Sequence, residues 1–275
     1  KTDNQGNETW SKYFGGSYYD WGYDVEQTTD NGYIIIGTTE NSTSSDDLNL
    51  IKTDSTGDEV WNNSFGGDGQ DKGYSGTLTQ DGGYIVAGPT YSYGEGSYDF
   101  WLIKTDFEGN EEWNQTYGGP SADTPNSITQ TQDGGYIVVG ETMSFGNGGR
   151  DIYLVKTNSL GEEEWTQTFG GGENDFGGEV QQTVDGGYII AGYTNSYGNG
   201  GHDGWIIKTN SLGQEEWNQT FGGGGNDILT SIQQTEDSGY IITGYTNSFG
   251  NGENDAWMIR LKATYFGPTW HVSTS

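Results

Sequence analysis

The tightest constraint on this chain is that it repeats itself. A tyrosine after an Asp-Gly-type turn recurs at Tyr33, Tyr84, Tyr136, Tyr188 and Tyr240, at spacings of 51, 52, 52 and 52 residues. Trp10, Trp61, Trp113, Trp165 and Trp217 keep the same beat, as do Lys1, Lys52, Lys104, Lys156, Lys208 and Arg260. Three markers in one period define an internal repeat. A unit of this size is one supersecondary element that buries its apolar face against its neighbours.

Each copy reads as four short strands. The first carries Gln and Thr between Ile or Val, as in Val25 to Thr28, and ends at a turn such as Asp185-Gly186-Gly187. Asp-Gly between two β runs is a hairpin signal. The second strand, as in Tyr136-Ile137-Val138-Val139-Gly140, is continuously apolar and is expected to be buried on both faces. After a Gly-rich loop the third opens on Asp47, Asp99, Asp151, Asp203 or Asp255. The fourth holds the tryptophan and ends in an aromatic residue before Gly-Gly. Asp20, Asp71, Asp123, Asp175 or Asp227 follows, expected to bind backbone amides. No segment has helical periodicity.

Five four-stranded antiparallel units predict an all-β, five-bladed β-propeller over residues 1–261, with 262–275 as a non-repeat tail. A β-solenoid is the rival, but its rungs are shorter than this period. The chain opens on an unaccompanied fourth strand around Trp10 and closes on three strands of the last copy. Pairing Thr9–Phe14 with Ala256–Leu261 is therefore expected to close the ring and remove its open edge.

Composition narrows the function classes. The formal charge is −30, from 40 acidic and 10 basic residues. Such a surface repels nucleic acid and anionic membrane. It suits solubility in a saline exterior or the binding of cations. No run of 18 or more apolar residues exists, so no helix is expected to insert in a membrane. Cysteine is absent, which removes disulfides and thiolate chemistry. With neither initiator Met nor signal pattern, the chain reads as a mature or excised piece.

The unit W-x-x-[TS]-[FY]-G-G, then D-G-G-Y-I-[IV]-x-G-x-T, then D-x-[WY]-[LI]-[IV]-K-T resembles the β-propeller repeats of archaeal and bacterial secreted and cell-surface proteins, of the methanogen type. The resemblance covers about residues 1–261. The first copy departs from it at Asn41-Ser42-Thr43-Ser44-Ser45-Asp46, and the second has Gly76 where an aliphatic residue is expected. It implies an extracellular scaffold or binding module.

The chemistry-bearing residues bear on that reading. A propeller glycosidase needs two carboxylates that break the repeat. The inner-strand carboxylates recognised are Glu26 and Glu179, while His202 and His271 stand alone, so no enzyme is expected. For a cation such as Ca2+, the favoured ligands are Asp46 with Asp47 and Glu253 with Asp255. Tyr91, Phe145, Tyr197 and Phe249, in the loops between second and third strands, are candidates for stacking on sugars; plugging between blades is the competing role. Sequons occur at Asn7, Asn41, Asn62, Asn114 and Asn218, and Asn62, Asn114 and Asn218 share one position beside the fourth-strand tryptophan. In the tail, Tyr265, Phe266, Trp270 and Val272 are expected to add a strand or an aromatic anchor to another copy, which would grow a filament; folding back along the same propeller is the competing reading. The function expected is an extracellular structural or adhesive module of a cell-surface or filamentous assembly. The alternative is a multivalent lectin-like binder of glycans.

Overall fold

The computed structural model describes residues 1–42 and 45–262. Among them are 19 strands in five antiparallel sheets, four of four strands and the last of three. The first sheet holds β1 (Asp20–Gln27), β2 (Tyr33–Glu40), β3 (Asp46–Thr53) and β4 (Glu59–Phe65). The second holds β5 (Ser75–Leu78), β6 (Tyr84–Thr90), β7 (Asp99–Thr105) and β8 (Glu111–Tyr117). The third holds β9 (Asp123–Gln130), β10 (Tyr136–Thr142), β11 (Asp151–Thr157) and β12 (Glu163–Phe169). The fourth holds β13 (Asp175–Gln182), β14 (Tyr188–Thr194), β15 (Asp203–Thr209) and β16 (Glu215–Phe221). The last holds β17 (Asp227–Gln234), β18 (Tyr240–Thr246) and β19 (Asp255–Leu261). Within each sheet the strands neighbour one another in chain order, as in the meander of a propeller blade.

The hairpin after each first strand forms for a local reason. Asn31 N–H donates to Thr28 O at 2.9 Å, and Thr28 N–H to Gly32 O at 3.0 Å. The residue after the turn aspartate is left-handed throughout: Gly82, Gly134 and Gly186 have φ of 92°, 85° and 83°. Asn31 and Ser238 hold φ of 66° and 60° there. Asparagine tolerates that region better than most side chains.

Internal contacts divide the chain into two units, Lys1–Gln130 and the residues from Thr131 onward. In the first, Ile34, Ile36, Leu48 and Leu50 form the forward face of their sheet and pack on Tyr84, Val86, Trp101 and Ile103, the rear face of the next. In the second, Ile137, Val139, Ile152 and Leu154 pack in the same way on Tyr188, Ile190, Trp205 and Ile207. Each such side chain contributes roughly 1.5–3 kcal/mol before its entropy loss is set against it. The continuous burial expected of the second strands is found in β6 and β10. At the seams within each unit, a fourth-strand tryptophan meets the tyrosine of the next sheet edge-on. Centroid distances are 5.9 Å for Trp61–Tyr84, 5.7 Å for Trp165–Tyr188 and 6.1 Å for Trp217–Tyr240.

Two expectations need revision. Residues 9–14, expected as a fourth strand for the last sheet, form no strand among the described residues, and β19 is an edge; ring closure is not shown. The first strands also begin earlier than the Gln/Thr pattern indicated, at the recurring aspartate, except in β5. There Gly76 supplies no side chain to pack, and the strand shortens to four residues.

Candidate recognition surface

The recurring ionisable residues are committed to the scaffold. At one end of the sheets, the third-strand lysine is buried and clamped by the turn aspartate. Lys52 lies 2.9 Å from Asp30, Lys104 3.0 Å from Asp81, Lys156 3.0 Å from Asp133 and Lys208 3.1 Å from Asp185. Glu112, Glu164 and Glu216 add second carboxylates at 2.7, 2.8 and 2.9 Å. Each lysine also donates to the carbonyl of the threonine after it. Burial opposes ionisation of Asp133, but bonds from Thr131, the Gly135 amide and Lys156 outweigh it and hold its carboxyl below the usual range.

At the opposite end, the aspartate that opens each first strand, or precedes it in the case of β5, holds the preceding Gly-Gly corner. Asp71, Asp123, Asp175 and Asp227 accept from the amides of Gly67, Gly119, Gly171 and Gly223 at 2.8, 2.8, 2.8 and 2.9 Å. Ser92, Ser196 and Ser248 hydroxyls donate to Asp71, Asp175 and Asp227. Beside them lie the third-strand aspartates. Burial, the Asp123 charge and Glu95 together push Asp99 up to about 6, against the opposing bond from the Glu95 amide, and its Oδ1 is buried without a hydrogen-bond donor.

The positions that change from repeat to repeat gather at this same end: the sixth residue of the second strand, the residue before the third-strand aspartate, and the residue after the aspartate of the Gly-Gly corner. In the second unit they bring Glu141, Arg150, Phe176, Tyr193 and His202 together. Arg150 donates to Glu141, and its guanidinium lies 5.8 Å from the Phe176 ring centroid. Phe176 stacks on Tyr193 at 4.4 Å, and Tyr193 meets His202 at 4.7 Å. The His202 ring also contacts the Asn195 side-chain oxygen. Burial pushes the Glu141 carboxyl up, and Arg150 pulls against it. Burial, with Glu141 and Tyr245, pushes Tyr193 up to about 12. In the first unit, Lys72 pairs with Asp46 at 3.4 Å, Tyr23 meets Tyr74 at 5.1 Å, and Tyr19 stacks on Trp21 at 5.7 Å. Stacked rings beside a paired carboxylate and guanidinium suit a ligand with an apolar face and a hydroxylated rim.

The residues singled out in the sequence have these places. Asp46 is engaged by Lys72, and Asp47 accepts from Asn41 at 3.0 Å. Asp255 accepts from the Asn251 amide at 2.7 Å, and Glu253 is exposed. No group of three or more acidic or histidine side chains suited to a metal ion occurs among the described residues. Phe145, Tyr197 and Phe249 pack on the third-strand rings Tyr153, Trp205 and Trp257 at 5.4, 5.3 and 5.9 Å. Their counterpart in the second repeat is Tyr93, on Trp101 at 5.0 Å, and not Tyr91, which lies two positions earlier.

Asn114 and Asn218 accept from the indoles of Trp101 and Trp205, each at 3.1 Å, and donate to Glu111 and Glu215. Their shared position thus has a structural cause. Asn62 accepts from Asn49 at 2.7 Å, and Asn7 donates to Asp3 at 2.9 Å. Glu26 accepts from the Leu78 amide at 3.0 Å and Glu179 from the Ile232 amide at 2.6 Å, so both inner carboxylates tie one first strand to the next. Tyr265, Phe266, Trp270, Val272 and His271 lie outside the described residues. The Glu141–Arg150 pair is not marked by the repeat; its signal is a carboxylate where the other repeats have Thr38, Pro89, Tyr193 and Tyr245, beside a guanidinium where they have Asp46, Tyr98, His202 and Asn254.

No protein-family model matches the sequence, and no curated protein matches it significantly. Among solved structures, a protein of unknown function from Bacteroides caccae is similar, with a TM-score of 0.59 and 11% identity. That match covers 94% of this chain and 83% of the other. A GH43 β-xylosidase/α-arabinofuranosidase from a compost metagenome matches at TM-score 0.46 and 10% identity, over 94% of this chain and 95% of that one. An endo-1,5-α-L-arabinanase from Thermotoga petrophila matches at 0.45 and 13%, over 91% and 72%. The repeated four-stranded antiparallel sheets make this chain a tandem repeat of β-propeller type.

Proposed function

We propose that this chain is a non-catalytic structural and adhesive module of an extracellular or cell-surface assembly, built as a five-bladed propeller. One observation carries the reading. The recurrent aspartates and lysines are taken up in bonds that repeat from sheet to sheet, while the variable positions at one end carry aromatic rings and paired charges. A scaffold with a variable rim is the arrangement of a binding module. The acidic surface fits a saline exterior.

Phe176, Tyr193, Glu141 and Arg150 favour a second, narrower reading, a lectin-like site for saccharides. Both are tested by binding of the intact chain to a glycan array and to cell-wall polysaccharide, with chromogenic glycosides assayed in parallel. Polysaccharide or surface binding without turnover supports the adhesive module. A monosaccharide-inhibitable hit abolished by Tyr193→Ala selects the lectin. Glycoside turnover lost in Glu141→Gln overturns both.

A further inference from the structure

The chain contains four Asn-Gly steps, at Asn31-Gly32, Asn147-Gly148, Asn199-Gly200 and Asn251-Gly252. The first lies in a hairpin turn, and the other three recur in the loop before the third strand. At such a step the glycine nitrogen can attack the side-chain carbonyl carbon of the asparagine, because glycine has no side chain to obstruct the approach. The attack requires that this nitrogen and this side chain are both free.

In the hairpin the nitrogen is tied down. Gly32 is buried, and its N–H donates to Asp30 Oδ1 at 2.9 Å. The loops are different. Asn147, Asn199 and Asn251 are exposed, and their main-chain N–H groups are anchored on Asp151, Asp203 and Asp255 at 2.8, 2.9 and 2.7 Å. Beyond these anchors, neither the three asparagine side chains nor the N–H groups of Gly148, Gly200 and Gly252 make a hydrogen bond among the described residues. The backbone also demands these glycines. Their φ values are 102°, 118° and 100°, and an added methyl would meet the Gly172 carbonyl at Gly148 and the Gly224 backbone at Gly200.

We propose that Asn147, Asn199 and Asn251 are sites of spontaneous deamidation and that Asn31 is not. The Gly148 nitrogen gives its proton to water and forms a bond to Cγ of Asn147; the Cγ–Nδ2 bond breaks, and ammonia leaves. Water then opens the cyclic imide at either carbonyl, which gives aspartate or isoaspartate. Water is the only co-reactant. The aspartate product fits the fold: Glu95 stands at this position in the second repeat, and its N–H makes the same bond to Asp99 at 2.7 Å. Isoaspartate fits worse, since it lengthens the main chain between the anchored amide and the third strand. The loops end at Arg150, His202 and Asn254, so the added charge falls on the rim that varies among the repeats.

The test ages the intact chain at mildly alkaline pH, with and without urea, and reads each asparagine by peptide mapping with mass spectrometry. In the folded chain, conversion to acid is expected at Asn147, Asn199 and Asn251, as aspartate together with isoaspartate, while Asn31 keeps its amide. In urea all four should convert alike, since the bond that holds Gly32 is gone. Anion exchange of the aged folded chain should resolve new acidic species. Asn147→Gln, Asn199→Gln and Asn251→Gln combined should suppress them, because the longer side chain closes the larger ring far more slowly. Conversion of Asn31 in the folded chain as fast as the loop sites overturns the proposal. So does a folded chain whose loop sites keep their amides while the same sites convert in urea.

Discussion

Removing the lysine from a clamp and removing its carboxylates should have very different consequences. The Lys156 side chain is 3% exposed, whereas Asp133 and Glu164 are 59% and 45% exposed. In Lys156→Met the carboxylates left behind turn to water, a similar stem fills the space, and the Thr157 carbonyl loses one donor at 2.8 Å. The expected loss is about 1 kcal/mol. In Asp133→Asn with Glu164→Gln, the ammonium stays buried without a counter-charge, and about 3–5 kcal/mol is expected to be lost. At roughly 2–4 °C per kcal/mol for a chain of this class, melting should fall by on the order of 10 °C in the double variant and about 3 °C in Lys156→Met. The first sheet supplies an internal control. Val60 stands there at the position of Glu112, Glu164 and Glu216, and Asp30 is the carboxylate partnering Lys52. Asp30→Asn alone should therefore approach the double variant, while Asp133→Asn alone should lose about 1–2 kcal/mol. Differential scanning calorimetry at neutral pH measures all four. Lys156→Met as the most damaging change, or equal losses in all four, would refute the account of the clamp.

Other outcomes are equally specific. Asp99 titrates near 6 when folded and near 3.8 when unfolded, so its stabilising contribution is full below the unfolded value and is lost as pH rises through about 6. Asp99→Asn should remove that slope and raise stability at pH 7 by up to about 3 kcal/mol, measured by urea melts across pH 4 to 8. The lowered carboxyls of Asp133 and Asp185 act in the opposite sense: their contribution is present above the unfolded value and lost on acidification, so acid melts should steepen below about pH 4. In a glycosylating host, site-resolved mass spectrometry should find sugar at Asn62 ahead of Asn114 and Asn218, whose amide nitrogens donate to Glu111 and Glu215; higher occupancy at Asn114 would count against that ordering. Gly170→Ala should destabilise by more than about 1 kcal/mol in the same calorimetric assay, because the added methyl would meet the Asp151 carboxylate.

What could be read from the sequence was whatever the period carries. Strand order, the Asp-Gly turns and the apolar second strands all recur, and recurrence separates signal from chance. The lysine marker was visible in position but not in role, since its bond to the turn aspartate depends on a register that sets Ile34 beside Lys52. Tyr91 was mistaken for the counterpart of Tyr197 because it lies near it in the loop; counting from Thr90 and Thr194 leads to Tyr93. Glu141 and Arg150 were lost for the converse reason, because a residue that occurs once has no period to mark it and their meeting depends on the β10–β11 hairpin.

The separation between clamp and rim also bears on how such a chain can change over generations. The clamp at one end and the aspartate corners at the other use side chains that the variable rim positions do not supply. Glu141, Tyr193 and Tyr245 occupy one rim position, and Thr38 and Pro89 hold it in the earlier repeats. That site has accommodated an acid, two phenols, an alcohol and an imino acid on the same backbone plan. Substitutions there can alter what the surface recognises while the bonds that hold each sheet stay in place, so specificity can drift without first passing through an unstable ancestor.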